Sequence, residues 1–343
     1  MRILRLPKIE SRALKYGYSN ARVKAMKGQL LKQAFLEELI KVKSIEGMAE
    51  LLQRSPYKAD LSAASLEYSG ARLIETAAAR NFAGTVKKLV KIAPKDDRAA
   101  LKALLVRWDL LNLKALLNGR RLKKNYDEVK PLLFDVGGLK EEEFRRILKA
   151  DDNELVRQIR KSGLGGMVPS KMADPGNLES AMDTNVYGML DKGLSSGGKE
   201  ALAIRRILKK EIDAKNIMII ERLKKHGTPA AKIRAGLIKG GTLSEQMVAK
   251  MIEAKDLPAL MSIARGKFRR LELRGEKMTE LEIAFEKAIA AEKVHAFAGA
   301  MLSAGVIFGF LLLKEEEINN LRKIAKGKEF GMSEPEVRSM LVV

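Results

Sequence analysis

The chain contains 343 residues, of which 46% are hydrophobic and 31% are charged, a composition typical of a folded protein with a sizeable core. It has no cysteine and only two histidines, which excludes disulfides and thiolate metal sites and leaves little scope for histidine-based chemistry. The formal net charge of +22 predicts attraction to an acidic partner, whether nucleic acid, lipid surface or protein.

The chain begins with a basic lead, residues 1–27, which carries a net charge of +7. The excess continues at +7 over each of residues 28–137 and 138–241, and falls to +1 over residues 242–343. The start, MRILRLPKIE, has no apolar core long enough for a signal peptide. Because nothing in the composition needs an oxidising compartment, the sequence predicts a cytoplasmic protein.

Four long segments have the periodicity of amphipathic helices, and no segment alternates polar and apolar residues as a strand would. They are residues 21–42, 70–92, 141–161 and 200–225. Aromatic residues make up only 5% of the chain, whereas Ala, Leu, Lys, Glu and Met are plentiful, which favours helix over strand. The sequence therefore predicts an all-α protein, with a Gly- and Pro-rich loop at 162–177.

One apolar run, residues 296–313, is at the edge of the length that a membrane-spanning helix needs. Glycines at three positions and Ser303 interrupt it. The Ser-Ala-Gly at 303–305 suggests a break between two helices. The run therefore favours a buried helix–turn–helix over a membrane span.

A helical motif occurs three times, with an acidic residue, two intervening residues, an asparagine and then an aliphatic residue. The acids are Asp109, Asp213 and Glu317, and the amides are Asn112, Asn216 and Asn320. Successive copies are 104 residues apart. Repeat arrays usually have much shorter units, so this interval predicts three homologous helical domains behind the lead, at residues 28–137, 138–241 and 242–343.

The acid and the asparagine of each motif lie three residues apart, which places them on one helical face within a largely apolar stripe. A buried amide can hold two helices in register, and leaving it unpaired costs about 1–3 kcal/mol. We therefore expect each asparagine to bond to a neighbouring helix. Three near-copies of one arrangement argue against a catalytic site, and contact with a partner protein is the remaining alternative.

Other candidate chemistry is weak. The segment GLSSGGKE (193–200) fits G-x-x-x-x-G-K, but Glu200 replaces the Ser or Thr of a phosphate-binding loop and the residues before it predict a helix. A flexible interhelical loop explains it better. The basic runs at 120–124 and 267–274 lack the interleaved aromatics of a base-stacking surface. The sequence thus predicts no catalytic residue, no cofactor and no metal site.

Four segments, taken in order, carry a resemblance to a known family: YGYSNARVKAMKGQLL (16–31), VRWDLLNLKALL (106–117), LKKEIDAKNI (208–217) and LLLKEEEINNLRKIAKGKEFGMSEPEVRSML (311–341). Together they resemble the C subunit of the archaeal-type and vacuolar-type rotary ATPases, whose eukaryotic counterpart is called the d subunit. The resemblance extends over about residues 14–343. The chain departs from the family in its strong basicity and its extended lead.

The resemblance implies a funnel of three similar helical domains around a pseudo-threefold axis. It further implies a non-catalytic rotor subunit, one copy per complex, that joins the central shaft to the membrane proteolipid ring and transmits torque between ATP turnover and proton or sodium transport. Such a protein is peripheral, on the cytoplasmic face of the membrane. We expect the lead to lie near the ring or anionic lipid, through Arg2, Arg5, Lys8 and Arg12. A basic helical nucleic-acid-binding adaptor is the alternative, although the resemblance implies no nucleic-acid partner.

Overall fold

The structure is a computed structural model that describes residues 8–137, 139–169, 178–195, 198–268, 271–272 and 277–342. These residues form helices and no β-strand, which confirms the predicted all-α class. The α-helices are α1 (Lys8–Lys27), α2 (Gln33–Lys41), α3 (Ile45–Leu52), α4 (Lys58–Ala64), α5 (Gly70–Ile92), α6 (Lys95–Arg121), α7 (Tyr126–Val129), α8 (Glu141–Lys149), α9 (Asp152–Ile159), α10 (Leu178–Gly193), α11 (Lys199–Lys225), α12 (Ala230–Ala235), α13 (Glu245–Glu253), α14 (Leu257–Arg265), α15 (Met278–Phe297), α16 (Ala304–Glu329) and α17 (Glu334–Met340). Shorter helical turns lie at Lys130–Leu132, Arg160–Leu164 and Gly165–Met167.

Two of the four predicted long helices are confirmed and two are wrong. Residues 70–92 form α5, and residues 200–225 lie within α11. The pattern at 21–42 is divided between α1 and α2 by residues 28–32, and the pattern at 141–161 is divided between α8 and α9. In the second case Asp151 is the N-cap of α9, where its side chain accepts a hydrogen bond from the Glu154 N–H at 2.8 Å.

The helix order recurs along the chain at the interval that the motif has in the sequence. The long helices α6, α11 and α16 begin at Lys95, Lys199 and Ala304, and the short helices α7, α12 and α17 follow them at corresponding positions. By contacts, the chain forms two compact units. The first unit contains residues 1–140 and 294–343, and the second contains residues 141–293. The division into three domains stays a prediction.

The first unit is organised around α16, which comes from the end of the chain. Helix α16 packs against α1, α2, α3, α5 and α17. Beside it, Trp108 of α6 lies between Phe82 of α5 and Phe134, with ring centroids 4.4 and 4.6 Å away. Arg322 of α16 extends its guanidinium over the Phe134 ring, 4.8 Å from the centroid. This unit therefore joins the two ends of the chain in one core.

The second unit is organised around α11, which packs against α10, α12, α13 and α14. Its apolar core includes an edge-to-face pair of Phe268 and Phe285, with centroids 4.9 Å apart. Two buried carboxylates are paired with lysines: Asp183 with Lys215 at 2.9 Å, and Glu211 with Lys293 at 3.5 Å. Each of these two carboxylates, removed from water by the fold, thus has a partner of opposite sign.

The apolar run at 296–313 contains the predicted break. Helix α15 ends at Phe297, and α16 begins after Ser303, whose side chain accepts a hydrogen bond from the Gly305 N–H. The predicted burial holds only for the second half of the run, because Met301 in the turn is 70% exposed whereas most of 304–313 is buried. No helix within the described parts of the chain is both long enough and apolar enough to cross a bilayer.

We expect Phe82→Ala to destabilise the first unit by about 3–5 kcal/mol, because it removes a fully buried ring and leaves a cavity beside Trp108. The measurement is urea unfolding followed by fluorescence, for which Trp108 is the single tryptophan reporter. The matched control is Phe330→Ala, since Phe330 is 73% exposed and its removal should change stability by less than about 0.5 kcal/mol. Equal losses in the two variants would contradict the assignment of Phe82 to the core.

Candidate functional site

The three motif asparagines make the same pair of hydrogen bonds. Asn112 accepts from the Phe134 N–H and donates to the Phe134 carbonyl, both at 2.8 Å. Asn216 does the same with Ile238, and Asn320 with Val342, at 2.7–3.0 Å. In each case the partner lies 22 residues further along the chain. We call each of these paired contacts an amide clamp.

The clamps differ from the sequence prediction in what they bind. A partner on a neighbouring helix was expected, but Phe134, Ile238 and Val342 all lie in non-helical segments. Such a segment has no regular backbone hydrogen bonds of its own, so its N–H and C=O groups need other partners when they are buried. A primary amide offers one donor and one acceptor on the same side, which matches one residue of extended backbone.

The aspartates of the first two motifs lie against the segments where the next predicted repeats begin. Asp213 accepts from the Thr242 N–H and hydroxyl, both at 2.6 Å, and from the Leu243 N–H at 3.2 Å. Asp109 lies against Gly137 at the corresponding distance along the chain. A Cβ on Gly137 would overlap the Asp109 carboxylate, and one on Gly241 would overlap the Asp213 carboxylate. Only glycine permits this close approach.

The acid of the third motif, Glu317, binds the start of the first predicted repeat. Its Oε2 accepts from the Leu31 N–H, in the break between α1 and α2. Its Oε1 accepts from the Tyr57 hydroxyl and the Lys314 ammonium, both at 2.6 Å. All three side chains are buried. The carboxylate therefore replaces the helical hydrogen bond that residue 31 would otherwise make, which explains why the predicted helix at 21–42 is interrupted.

The three acids thus occupy equivalent positions. Asp213 and Glu317 accept from backbone N–H groups near the start of the following predicted repeat, which for the third copy is the first, and Asp109 lies against the equivalent segment at Gly137. Within each unit, the packing of the long helix agrees with these polar contacts. Helix α11 packs on α13 and α14, and α16 packs on α2 and α3, the short helices that follow those segments.

Two lysines that were not predicted from the sequence extend this arrangement. Lys224 of α11 donates to the carbonyls of Met251 and Ala254, at 2.9 and 2.5 Å, at the end of α13. Lys328 of α16 donates in the same way to Ile40 and Val42, at the end of α2. A cation at a helix C-terminus satisfies its last carbonyls and complements its dipole. Lys224 and Lys328 are 104 residues apart, so the repeat interval could have identified them.

Tyr57 and Lys314 have pKa values that their burial explains. Burial raises the pKa of the Tyr57 phenol well above its usual value, and the Glu317 carboxylate raises it further. Burial lowers the pKa of the Lys314 ammonium, although Glu317 opposes that change. The Lys314 Nζ also lies 4.4 Å from the centre of the Tyr57 ring. The group is therefore a compact hydrogen-bonded cluster within the core of the first unit.

The remaining candidates from the sequence have varied outcomes. Arg2 and Arg5 lie outside the described residues, as does the side chain of Lys8, and Arg12 is exposed on α1. The glycine-lysine segment at 193–200 follows helix α10, not the strand that a phosphate-binding loop needs, and residues 196 and 197 are outside the described ranges. Within the described residues no group of three or more acidic or histidine side chains could hold a metal ion.

Comparison with known proteins shows the family to which the chain belongs. The sequence model of the family described as ATP synthase (C/AC39) subunit matches residues 19–340. This chain belongs to that family. The C/AC39 match includes all six motif residues and both helix-capping lysines. It begins after the first part of α1, so residues 1–18 lie outside it.

Curated relatives extend the C/AC39 match over nearly the whole chain. The C subunit of the A-type ATP synthase of Methanosarcina barkeri is 27% identical over 96% of this chain and 93% of its own length. The proteins of the same name from Archaeoglobus fulgidus and Pyrococcus furiosus are 23% and 28% identical, over 96% and 91% of this chain and 96% and 86% of their own lengths.

We expect Asn216→Asp to cost about 2–4 kcal/mol at neutral pH, because a carboxylate oxygen would face the Ile238 carbonyl in place of the amide donor. Protonation of the new carboxyl restores a donor, so the loss should shrink as the pH falls. The measurement is urea unfolding at a series of pH values. Asn118→Asp, at an exposed asparagine of α6, is the control and should change little. A loss independent of pH would mean that the donor is not what the clamp needs.

We expect Tyr57→Phe to cost about 1–3 kcal/mol at neutral pH, since it leaves Glu317 and Lys314 without the phenol. The pKa of Tyr57 is raised in the folded state, so its contribution is complete below about pH 10 and is lost as the pH rises from there through the folded pKa. Unfolding free energies of the two proteins should therefore converge in alkali. Lys314 is present in both proteins, so its own titration largely cancels from the difference between their unfolding free energies. A difference that widens with pH would contradict the assignment.

Proposed function

We propose that this chain is the non-catalytic central-stalk subunit of an A/V-type ATPase or ATP synthase. In this role it links the central shaft to the membrane proteolipid ring and transmits torque between ATP turnover and proton or sodium transport. The observation that carries the proposal is the family match over residues 19–340, together with long helices that are clamped in the same way in each copy of the motif. Its catalytic counterpart would be another protein of the complex.

The clamps suit a part that must transmit torque. A purely apolar seam allows one element to slide past another with small changes in contact. An amide clamp opposes sliding, because a shift by one residue breaks a donor and an acceptor bond together in a buried site. Carboxylates that hold the start of the next repeat add polar links of the same kind. Such links make the helices resist shear without any cofactor.

The charge suits the proposed partners. A net charge of +22 would attract acidic surfaces of the shaft or anionic headgroups near the ring, each basic residue close to a membrane contributing about 1 kcal/mol. We place one copy of the chain in each complex, as a peripheral protein on the cytoplasmic face of the membrane. The lead would lie near the ring or lipid, through Arg2, Arg5, Lys8 and Arg12.

The experiment that tests this function is affinity purification of the tagged chain from detergent-solubilised native membranes. Moderate salt and nuclease are needed, because a basic protein collects nucleic acid at low salt. We expect mass spectrometry to recover shaft and proteolipid subunits in a stable ratio. Replacement of the four lead cations by glutamine should reduce recovery of the proteolipid and leave the shaft subunits unchanged.

One outcome would contradict the stalk role, and another would contradict only the placement of the lead. Recovery of RNA-associated proteins without ATPase subunits would favour the nucleic-acid adaptor instead. Recovery of shaft subunits with unchanged proteolipid in the glutamine variant would leave the stalk role standing and remove the lead from the ring interface.

A further inference from the structure

Helix α1 presents an apolar stripe to solvent. Leu14 is 77% exposed and Tyr18 is 70% exposed, and the two lie four residues apart on one helical face. Ala21 and Ala25, also exposed, continue the stripe at helical spacing. An exposed leucine by itself is ordinary in a folded protein, but a stripe along one helix indicates a surface that something covers.

The opposite face of α1 is fixed to the first unit. Ser19, Asn20 and Val23 are buried there, and α1 packs against α5 and α16. Asn20 donates to the Ser303 carbonyl and accepts from the Ser303 N–H, both at 3.1 Å, so it forms an amide clamp of its own. The stripe therefore faces outward because the inward face is already occupied, and α1 cannot rotate to bury Leu14 and Tyr18 without breaking that clamp.

Cations border the stripe. Arg22 and Lys24 lie on either side of it at helical spacing; both are exposed, and within the described residues no ion pair joins them to a carboxylate. Lys15 is paired with Asp96 at 2.9 Å, and Glu10 is the one acidic residue in the α1 sequence. A protein partner recognised by a helix usually meets charges of both signs along the seam. A helix with almost no acid instead fits a surface that is uniformly negative.

We propose that α1 docks on the anionic headgroup surface of a lipid bilayer. Leu14 and Tyr18 enter the boundary between headgroups and acyl chains, where an aromatic hydroxyl can remain hydrated. Arg22 and Lys24, which flank the stripe, lie over the lipid phosphates. This inference rests on the placement of the lead given under the proposed function and makes it more specific, since it assigns the contact to α1 and to lipid. The site needs only the folded chain and lipid, so it can be tested separately from the stalk role.

The test is flotation of the purified full chain with vesicles of phosphatidylcholine alone or mixed with phosphatidylglycerol. We expect the chain to float only with the mixed vesicles, and less so as salt is raised. The double variant Leu14→Ser, Tyr18→Ser should bind at least about tenfold more weakly, because it removes the apolar contact and keeps every charge. The variant Arg22→Gln, Lys24→Gln should lower binding by a comparable factor.

The matched control is Leu66→Ser, Leu122→Ser, which removes two leucines that are 88% and 67% exposed outside α1. It should bind vesicles as the unchanged chain does. Circular dichroism checks that each variant is folded, as expected for substitutions on an exposed face.

Three results would overturn the proposal: no flotation of the unchanged chain with anionic vesicles, equal binding by the Leu14, Tyr18 double variant, or equal loss in the control. If the double variant still floats but no longer recovers shaft or proteolipid subunits from membranes, the stripe is a protein interface. Failure of the stalk role is distinct, because it appears in the affinity purification of the unchanged chain and not in flotation.

Discussion

The structure depends on a single kind of contact, a buried amide that holds one residue of non-helical backbone by both its N–H and its C=O. Asn112, Asn216 and Asn320 each make this contact 22 residues further along the chain, at the segment that follows the next short helix. Without them, those segments would bury backbone groups with no partner, at a cost of about 1–3 kcal/mol for each group. The long helices α6, α11 and α16 are therefore fixed in register by hydrogen bonds as well as by shape.

Sequence periodicity could predict the helical class, α5 and α11 almost to the residue, the break at 303–305 and the placement of the motif acids and amides on one face. It could not predict the breaks at 28–32 and 150–151, because the helical periodicity of the sequence continues through both of them. At the first break the decisive contact is made by Glu317, 286 residues away, and no local signal reports a partner at that distance. The prediction that each asparagine bonds to a neighbouring helix was wrong for the same reason. Side-chain chemistry required a donor and an acceptor, but only the fold decides which backbone supplies them.

Helix α16 carries more buried charge than an apolar core would need. Lys314, Glu315 and Glu317 are buried within the first unit and Arg322 is half-buried there, and burial lowers the pKa of both Lys314 and Arg322. Each buried charge costs free energy unless it is paired and hydrogen-bonded, so such groups need specific partners. Glu315 faces Arg107 at 3.6 Å, and Glu317 is satisfied by three donors. Such a set of pairs is satisfied in one arrangement of the helices, and a shifted arrangement would break it.

The contact between Glu317 and Leu31 also constrains how the chain is made. The first unit contains residues 1–140 but takes α16 from the far end of the chain, so a ribosome releases its first helices long before the helix that completes their core. The second unit, residues 141–293, is continuous in sequence and can fold while synthesis proceeds. The early helices of the first unit can therefore complete their core only after α16 has been synthesised. During that interval the nascent N-terminal segment needs protection from aggregation.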